Sequence, residues 1–288
     1  MNLNISENEN LKKHNTFGLG GYVKYFFTPT SKEELQFGIN DFISKNIPYY
    51  ILGCGSNVIF PDNDFDGAVI CLKKLNNIAI ENNKLTVDAG VMLPVLNNAV
   101  IKQGYTNFAW SSSIPATVGG AVVSNAGANG KEICEDLLSI TYLKDGEIIT
   151  SDKSKFIFEY RKTSFSNEII LGATFNLQKG NVEETVKEIQ DYTERRKLTQ
   201  PLEYKNAGST FRNPEGNYAG KLIEECDLKE YKIGGAMVSA KHANFIINYD
   251  NASSDDIKNL IYYIQKTVKD KTNIDLVMEN KIILWDKL

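Results

Sequence analysis

The sequence contains little histidine, arginine or cysteine. Two histidines, His14 and His242, lie far apart without metal-ligand spacing, so no metal site is predicted. The four cysteines form no CxxC pair, which indicates free thiols in a reducing, cytoplasmic compartment. The arginines number four, at positions 161, 195, 196 and 212, so each merits individual attention.

Long apolar runs and long runs of like charge are also missing. The net charge is −4, and the polar first ten residues do not resemble a signal peptide. No segment has the length of a membrane span, and no basic patch of the kind that binds nucleic acid is present. We therefore predict a soluble globular protein that binds neither nucleic acid nor a membrane, and a small anionic substrate is compatible with one local basic pocket.

The common dinucleotide and nucleotide motifs are absent. After Gly53 and Gly55, the position that a Rossmann fingerprint reserves for glycine holds Val58, and no P-loop pattern occurs. A phosphate-bearing ligand would therefore have to be held by another kind of loop.

Two loops of small residues are the strongest signal that the chain does contain. One is 53–57, directly after an apolar run, and the other is 113–130, with four glycines, four alanines and no charge. We expect Gly119 and Gly120 to take positive φ and to expose their N–H groups. Such loops can bind a pyrophosphate without a cation, helped here by Ser56, Asn57, Thr117 and Asn125. A pair of tight turns with close helix packing would use the same residues, so both interpretations stay open.

Short helices and strands alternate irregularly, which favours an α+β fold over a doubly wound sheet. Ser31 and Glu34 predict a capping box at a helix start, and Asn82-Asn83 and Asp145-Gly146 predict hairpin turns. The predicted helices are 32–45, 92–103, 182–197, 218–227 and 253–270, and the predicted strands are 49–52, 77–81, 84–88, 139–144, 147–151, 168–178, 236–248 and 274–285.

Three polar residues have two interpretations each. The guanidinium of Arg161 suits a carboxylate or an enolate oxygen, but it could also form a surface ion pair. Ser209 follows Ala-Gly and could be presented from a tight turn, or could simply cap that turn. Glu279 shares its predicted strand face with Asp275 and Lys281, which is typical of a solvated face.

A series of short motifs, in order along almost the whole chain, resembles the UDP-N-acetylenolpyruvoylglucosamine reductase family. These flavoenzymes make UDP-N-acetylmuramate for peptidoglycan. The spacing of Arg161 and Ser209 resembles the shorter form of the family, which lacks a tyrosine loop. The motifs are 15–18 (NTFG), 52–57 (LGCGSN), 114–115 (IP) with 117–121 (TVGGA), 125–128 (NAGA), 160–161 (YR), 207–209 (AGS), 213–214 (NP), 219–225 (AGKLIEE) and 241–245 (KHANF).

The resemblance implies a vanillyl-alcohol-oxidase-type FAD-binding domain of two lobes and a smaller α+β substrate domain. The lobes are expected at 1–62 and 63–197, and the substrate domain at 198–288. FAD and NADPH are the expected cofactors, a UDP-sugar nucleotide is the expected substrate, and a monomer is expected. The residues expected to bind FAD are Gly53, Cys54, Gly55, Ser56, Asn57, Ser113, Ile114, Pro115, Thr117, Gly119, Gly120, Ala121, Asn125 and Gly127.

The resemblance also implies catalytic roles. Hydride would pass from flavin N5 to C3 of UDP-N-acetylglucosamine enolpyruvate, and Ser209 would give a proton to C2. Arg161 would hold the enolate charge with help from Glu279, and Tyr160, Asn213 and His242 would contact the substrate. The alternatives are another FAD-dependent oxidoreductase on the same scaffold, or a flavin-binding protein without catalysis.

Overall fold

A computed structural model describes residues 3–288. Within that range the α-helices are α1 (Lys32–Ser44), α2 (Leu93–Ile101), α3 (Val118–Ser124), α4 (Val182–Thr199), α5 (Ala219–Glu225) and α6 (Ser254–Thr272). The strands are β1 (Ile5–Asn10), β2 (Tyr22–Phe27), β3 (Tyr49–Leu52), β4 (Val58–Ile59), β5 (Phe65–Cys71), β6 (Ile78–Glu81), β7 (Lys84–Asp88), β8 (Gly127–Ala128), β9 (Lys131–Glu132), β10 (Leu137–Lys144), β11 (Glu147–Asp152), β12 (Phe158–Glu159), β13 (Lys162–Thr163), β14 (Ile169–Asn176), β15 (Lys205–Asn206), β16 (Lys232–Ile233), β17 (Ala236–Val238), β18 (Ile246–Asn248) and β19 (Lys281–Ile282).

The chain forms two compact units, each assembled from separate segments. Unit 1 comprises the chain up to Glu7, Tyr25–Cys54 and Asp66–Arg196. Unit 2 comprises Asn8–Lys24, Gly55–Phe65 and Lys197–Leu288. The predicted division at 62 and 197 assigns cofactor and substrate roles to segments and stays a prediction.

The largest sheet of unit 1 has the strand order β11-β10-β14-β7-β6, with antiparallel neighbours. Its two outer hairpins turn at Asn82-Asn83 and Asp145-Gly146, where both central residues have positive φ. That geometry is the type I′ turn, which matches the twist of the flanking strands and favours Asn, Asp and Gly. Both predicted hairpins are therefore confirmed.

The core of unit 1 includes residues of this sheet, of β2 and β5, and of α1, α2 and α3. Helix α1 begins at its predicted cap, since the hydroxyl of Ser31 accepts from the N–H of Glu34 at 3.0 Å. The reciprocal half of the predicted capping box is wrong: the carboxylate of Glu34 accepts from the N–H and hydroxyl of Thr30, each at 2.7 Å. The helix start is therefore tied one residue further back along the chain.

Unit 2 contains a four-stranded sheet, β15-β18-β17-β16, with α5 and α6 contributing to its core. Helix α6 has a full capping box between Ser253 and Asp256. Segments distant in sequence complete this core, because Phe17, Leu19 and Ile59 are all at most 1% exposed within it.

Two predicted strands of unit 2 are wrong in extent. The segment 236–248 is two short antiparallel strands, β17 and β18, because Lys241 and His242 lie in the loop that joins them. The segment 274–285 contains only β19 and a single bridge at Met278, followed by a 3₁₀ turn. Its alternating polarity therefore reflects an irregular extended segment.

The predicted α+β class is confirmed by this mixture of helices and sheets. No helix within residues 3–288 combines the length and apolarity needed to cross a membrane.

Candidate active site

The two small-residue loops meet in unit 1. A Cβ on Gly53 would lie 2.5 Å from the hydroxyl oxygen of Thr117, so glycine is required for this approach. The thiol of Cys54 donates to the carbonyl of Pro115 at 2.8 Å. The two loops, more than 60 residues apart in sequence, thus contact each other directly at two points.

The prediction that Gly119 and Gly120 take positive φ and expose their N–H groups is wrong. Both lie in the first turn of α3, and neither has positive φ. The N–H of Gly119 donates to the carbonyl of Ala89 at 2.8 Å, and that of Gly120 lies 3.3 Å from the hydroxyl of its cap, Thr117. Gly119 is buried, whereas Gly120 is exposed and has no side chain, so the backbone can be approached closely at Gly120 only.

The second half of the first loop belongs to unit 2. Gly55 has a φ of +71°, and a Cβ there would lie 2.2 Å from the carbonyl oxygen of His14. The side-chain amide of Asn57 donates to the carbonyl of Glu279 at 3.2 Å. Ser56 lies between Gly55 and Asn57, so this part of the loop is fixed next to the segment that carries Glu279.

The remaining predicted cofactor residues lie before, within and at the end of α3. Ser113 and Ile114 are half-buried and precede the helix, while Ala121 is buried in its second turn. Asn125 ends the helix with a φ of +44° and is fully buried. Its amide donates to Glu132 at 2.7 Å and to the carbonyl of Glu159 at 2.9 Å.

Arg161 lies in the two-residue turn between β12 and β13, with a φ of +55°. A positive φ is costly for a long side chain, and residues held so are found disproportionately at functional sites. Its guanidinium donates to the carbonyls of Asn125 and Gly127 and to Glu132, the last at 3.3 Å. Tyr160 places its ring 4.9 Å from the guanidinium carbon. The side chain is 16% exposed, so Arg161 is a positioned cation rather than a surface ion pair.

Ser209 lies in the serine turn, Ala207–Thr210, in unit 2. Gly208 there has a φ of +76°, which glycine adopts without strain. The buried amide of Asn280 donates to the carbonyls of Ala207 and Ser209 at 2.9 and 3.3 Å. The hydroxyl of Ser209 has no hydrogen-bond partner among residues 3–288, so the turn is held through its backbone and the hydroxyl takes no part in holding it.

Glu279 is placed by the same turn. Its N–H donates to the carbonyl of Thr210 at 2.8 Å, and Phe211 and Met278 form an antiparallel bridge alongside. The structure therefore brings Ser209 and Glu279 onto neighbouring segments of unit 2, as the catalytic assignment requires. The interpretation of Glu279 as part of a regular solvated strand face is replaced by a half-buried position on an irregular segment.

Asn213 and His242 also lie in unit 2, and each has a structural bond. The side-chain oxygen of Asn213 accepts from the N–H of Ala219 at 3.0 Å, at the start of α5. Nδ1 of His242 accepts from the N–H of Asn244 at 3.2 Å. An accepting Nδ1 places the proton of a neutral imidazole on Nε2. Burial lowers the pKa of His242, so that neutral form dominates at pH 7.

Comparison with known proteins identifies the chain. The family model for the UDP-N-acetylenolpyruvoylglucosamine reductase C-terminal domain matches residues 200–283, and the FAD-binding-domain model matches residues 23–152. UDP-N-acetylenolpyruvoylglucosamine reductase of Caldanaerobacter subterraneus is 40% identical over 96% of this chain and 92% of its own. That of Clostridium tetani is 42% identical over 99% of this chain and 94% of its own.

The chain belongs to the UDP-N-acetylenolpyruvoylglucosamine reductase family. The crystal structure of UDP-N-acetylenolpyruvylglucosamine reductase from Thermus caldophilus is similar, with a TM-score of 0.83 at 29% identity, covering 99% of this chain and all of that one. The resemblance and the fold predicted from the sequence are both confirmed.

Three polar residues of this reductase were missed by the sequence reasoning. Glu132 bonds to Arg161, Asn280 holds the serine turn, and Asn244 bonds to both the N–H and the carbonyl of Phe211 at 3.0 and 2.8 Å. Asn244 lies inside the KHANF motif, which could have indicated it. Glu132 and Asn280 act through contacts distant in sequence, and no local pattern marks them.

Proposed function

We propose that this chain reduces UDP-N-acetylglucosamine enolpyruvate to UDP-N-acetylmuramate, with FAD as bound cofactor and NADPH as reductant. The observation that carries the proposal is the family match over nearly the full chain, together with Arg161 in the YR motif and Ser209 in the AGS motif. The product is a precursor of peptidoglycan.

The residues of unit 1 fit FAD. The second loop presents exposed backbone at Gly120, where an added Cβ would meet only the Thr117 hydroxyl at 3.4 Å, so a large ligand has room there. Two buried polar atoms, the hydroxyl of Ser112 just before the second loop and the side-chain oxygen of Asn125 within it, have no partner among residues 3–288. Buried polar atoms are normally hydrogen-bonded, so a polar ligand is the natural partner. When bound, FAD supplies hydride received from NADPH.

Ser209 is the proposed proton donor to C2 of the substrate. A serine hydroxyl is a weak acid, but a carbanionic enolate carbon is a strong base, so transfer is feasible if the oxygen is positioned. The oxygen is positioned because the side-chain amide of Asn280 donates hydrogen bonds to two carbonyls of the serine turn. A fixed donor needs no reorganisation when charge develops.

Arg161 is proposed to hold the carboxylate on which the enolate charge develops. Its guanidinium is oriented by two backbone carbonyls, and Glu132 balances part of its charge before substrate arrives. A guanidinium remains charged at any physiological pH. We propose that Glu279 helps Arg161 to stabilise the enolate charge next to the reacting carbons.

Substrate contacts are proposed at Tyr160, Asn213 and His242. The Tyr160 ring is 49% exposed, so it can contact a ligand while it packs on Arg161. Nε2 of His242 carries the proton of the neutral ring and can donate to an oxygen of the substrate. The side-chain amide nitrogen of Asn213 can donate in the same way, since its oxygen is already bonded.

We propose that the protein acts as a cytoplasmic monomer without nucleic-acid partners. The free thiols Cys54, Cys71, Cys134 and Cys226 support a reducing compartment. Native mass spectrometry of the purified protein tests the monomer, and a stable dimer would contradict it.

The proposed function is tested by measuring flavin absorbance during the reaction. The purified protein should carry yellow flavin absorbance that NADPH bleaches without oxygen. Addition of the enolpyruvyl sugar nucleotide should restore the absorbance with one equivalent of UDP-N-acetylmuramate formed. Bleaching without restoration would contradict the substrate, and restoration only by oxygen or a polyol would favour another oxidoreductase.

A further inference from the structure

Among residues 3–288, two cations of unit 2, Arg212 and Lys281, have no partner of opposite charge. Within residues 3–288 no carboxylate lies within ion-pairing distance of either side chain. Nε of Arg212 is buried and has no hydrogen-bond acceptor. Buried charged donors are normally paired, so an acceptor from outside the chain would satisfy this atom.

Both cations lie next to the proposed catalytic groups. The N–H of Arg212 donates to the carbonyl of Val277 at 2.9 Å, and Phe211 pairs with Met278. Because side chains alternate along a strand, Thr210, Arg212 and Glu279 share one face of this two-stranded ribbon. The hydroxyl of Thr210 is a second buried polar atom without a partner in the described part of the chain.

Lys281 is tied to the first small-residue loop. Its N–H donates to the carbonyl of Asn57 at 2.9 Å, and β19 runs parallel to β4 with Lys281 opposite Val58. The surrounding protein, and then the Arg212 guanidinium, lower the pKa of Lys281 although part of its side chain is exposed. Arg212 pairs with Val277 and Lys281 follows in the same extended segment, so the two cations are near one another and a bound anion would offset the repulsion that lowers this pKa.

We propose that Arg212 and Lys281 form a subsite for the diphosphate of a nucleotide. A diphosphate diester carries two negative charges and several acceptor oxygens, which matches two cations, whereas a single carboxylate would leave one uncompensated. The assignment rests on the proposed function, whose sugar nucleotide and cofactors all contain this group. The candidate sources are therefore the substrate, FAD and NADPH.

The test compares Arg212→Gln and Lys281→Gln with wild type and with Lys266→Gln, an exposed lysine of α6. Calorimetry of the flavin-loaded protein with UDP and with uridine isolates the diphosphate. We expect UDP affinity to fall about ten- to a hundredfold in each variant, as for loss of one charge-assisted contact, with uridine and the control unchanged. Arg212→Lys and Lys281→Arg should recover part of the loss, and circular dichroism checks the fold of each variant.

Two further arms separate the sources. A loss of FAD retention with UDP affinity intact would assign the diphosphate to the cofactor, and a loss confined to the NADPH concentration needed for half-maximal bleaching would assign it to NADPH. Wild-type values for UDP, FAD and NADPH would overturn the subsite, and so would equal losses for UDP and uridine. A wrong proposed function shows separately, as wild type that is not reoxidised by the enolpyruvyl nucleotide.

Discussion

At the scale of single residues, the two proposed catalytic groups are held in different ways. Arg161 is fixed through its side chain, by two carbonyls and Glu132, whereas Ser209 is fixed through its backbone, by Asn280. A guanidinium that grips a carboxylate must be oriented, and a hydroxyl that gives up a proton needs only to be near its target. Substitutions at the two positions should therefore have different signatures.

Replacing Ser209 by alanine should separate the two half-reactions. Reduction of the flavin by NADPH should stay normal, because no proton is needed at the substrate carbon in that step. Reoxidation by the enolpyruvyl nucleotide should slow on the order of 10²–10⁴-fold, the usual value of a positioned donor. Stopped-flow absorbance of each half-reaction measures this. Ser209→Cys, which retains an acidic hydrogen, should recover part of the rate, and equal slowing of both half-reactions would contradict the role.

Replacing Arg161 by lysine should impair reoxidation by about ten- to a hundredfold, since a point charge cannot replace several directed donors. Arg195→Lys in α4, at an exposed position, is the matched control and should change neither half-reaction. The same stopped-flow assay applies. Near-normal turnover of Arg161→Lys would mean that charge alone is sufficient.

At the scale of secondary structure, the large sheet of unit 1 has an ion pair where two of its inner strands, β10 and β14, meet end to start. Nζ of Lys144, at the end of β10, lies 2.7 Å from the carboxylate of Glu168, which directly precedes β14. Glu168 also accepts from the N–H of Ser166 at 2.8 Å, and its side chain is only 7% exposed. The pair thus closes the end of two neighbouring strands.

The contribution of this ion pair to stability should appear in the pH dependence of Glu168→Gln unfolding. The bond to Lys144 lowers the pKa of Glu168 from 4.5 to about 2, so the folded state binds its proton more weakly than the unfolded state. The stabilisation is complete above about pH 5 and is lost as the pH falls toward 2. In urea titrations, the variant should be less stable than wild type by about 1–3 kcal/mol of unfolding free energy at pH 7. This difference should shrink as the pH falls from 4.5 to about 2.

The exposed Glu194→Gln in α4 provides the control, and its difference from wild type should not depend on pH in this way. A constant deficit of Glu168→Gln between pH 7 and about 2 would show that packing, not charge, is responsible.

At the scale of the whole molecule, neither unit is a continuous segment. Unit 2 takes Phe17, Leu19 and Ile59 from early segments into a core that otherwise comes from the last third of the chain. Local sequence signals correctly predicted elements that neighbouring residues determine, such as the Asn82-Asn83 hairpin and α6. The strand prediction for 274–285 failed because contacts with Thr210 and Asn57, which are distant in sequence, determine the conformation of this segment. The motifs indicated Arg161 and Ser209, but not the partners that position them.

The discontinuity predicts that a fragment of residues 197–288 will not fold alone. It lacks the three early core residues and β4, the partner of β19. We expect weak near-ultraviolet circular dichroism and no cooperative thermal transition. In the full chain, Phe17→Ala should cost about 3–5 kcal/mol, the usual range for a buried phenylalanine. A cooperative transition of the fragment would show that the early segments are dispensable.

The contact between Cys54 and Pro115 also has a practical use. The sulfur lies where the two small-residue loops touch, whereas Cys71 and Cys226 are buried and Cys134 lies elsewhere in unit 1. Labelling with iodoacetamide, followed by peptide mass spectrometry, should therefore modify position 54 more slowly in cofactor-loaded protein than in stripped protein, with position 134 as internal reference. The labelling rate of Cys54 would then measure which fraction of a preparation has cofactor bound.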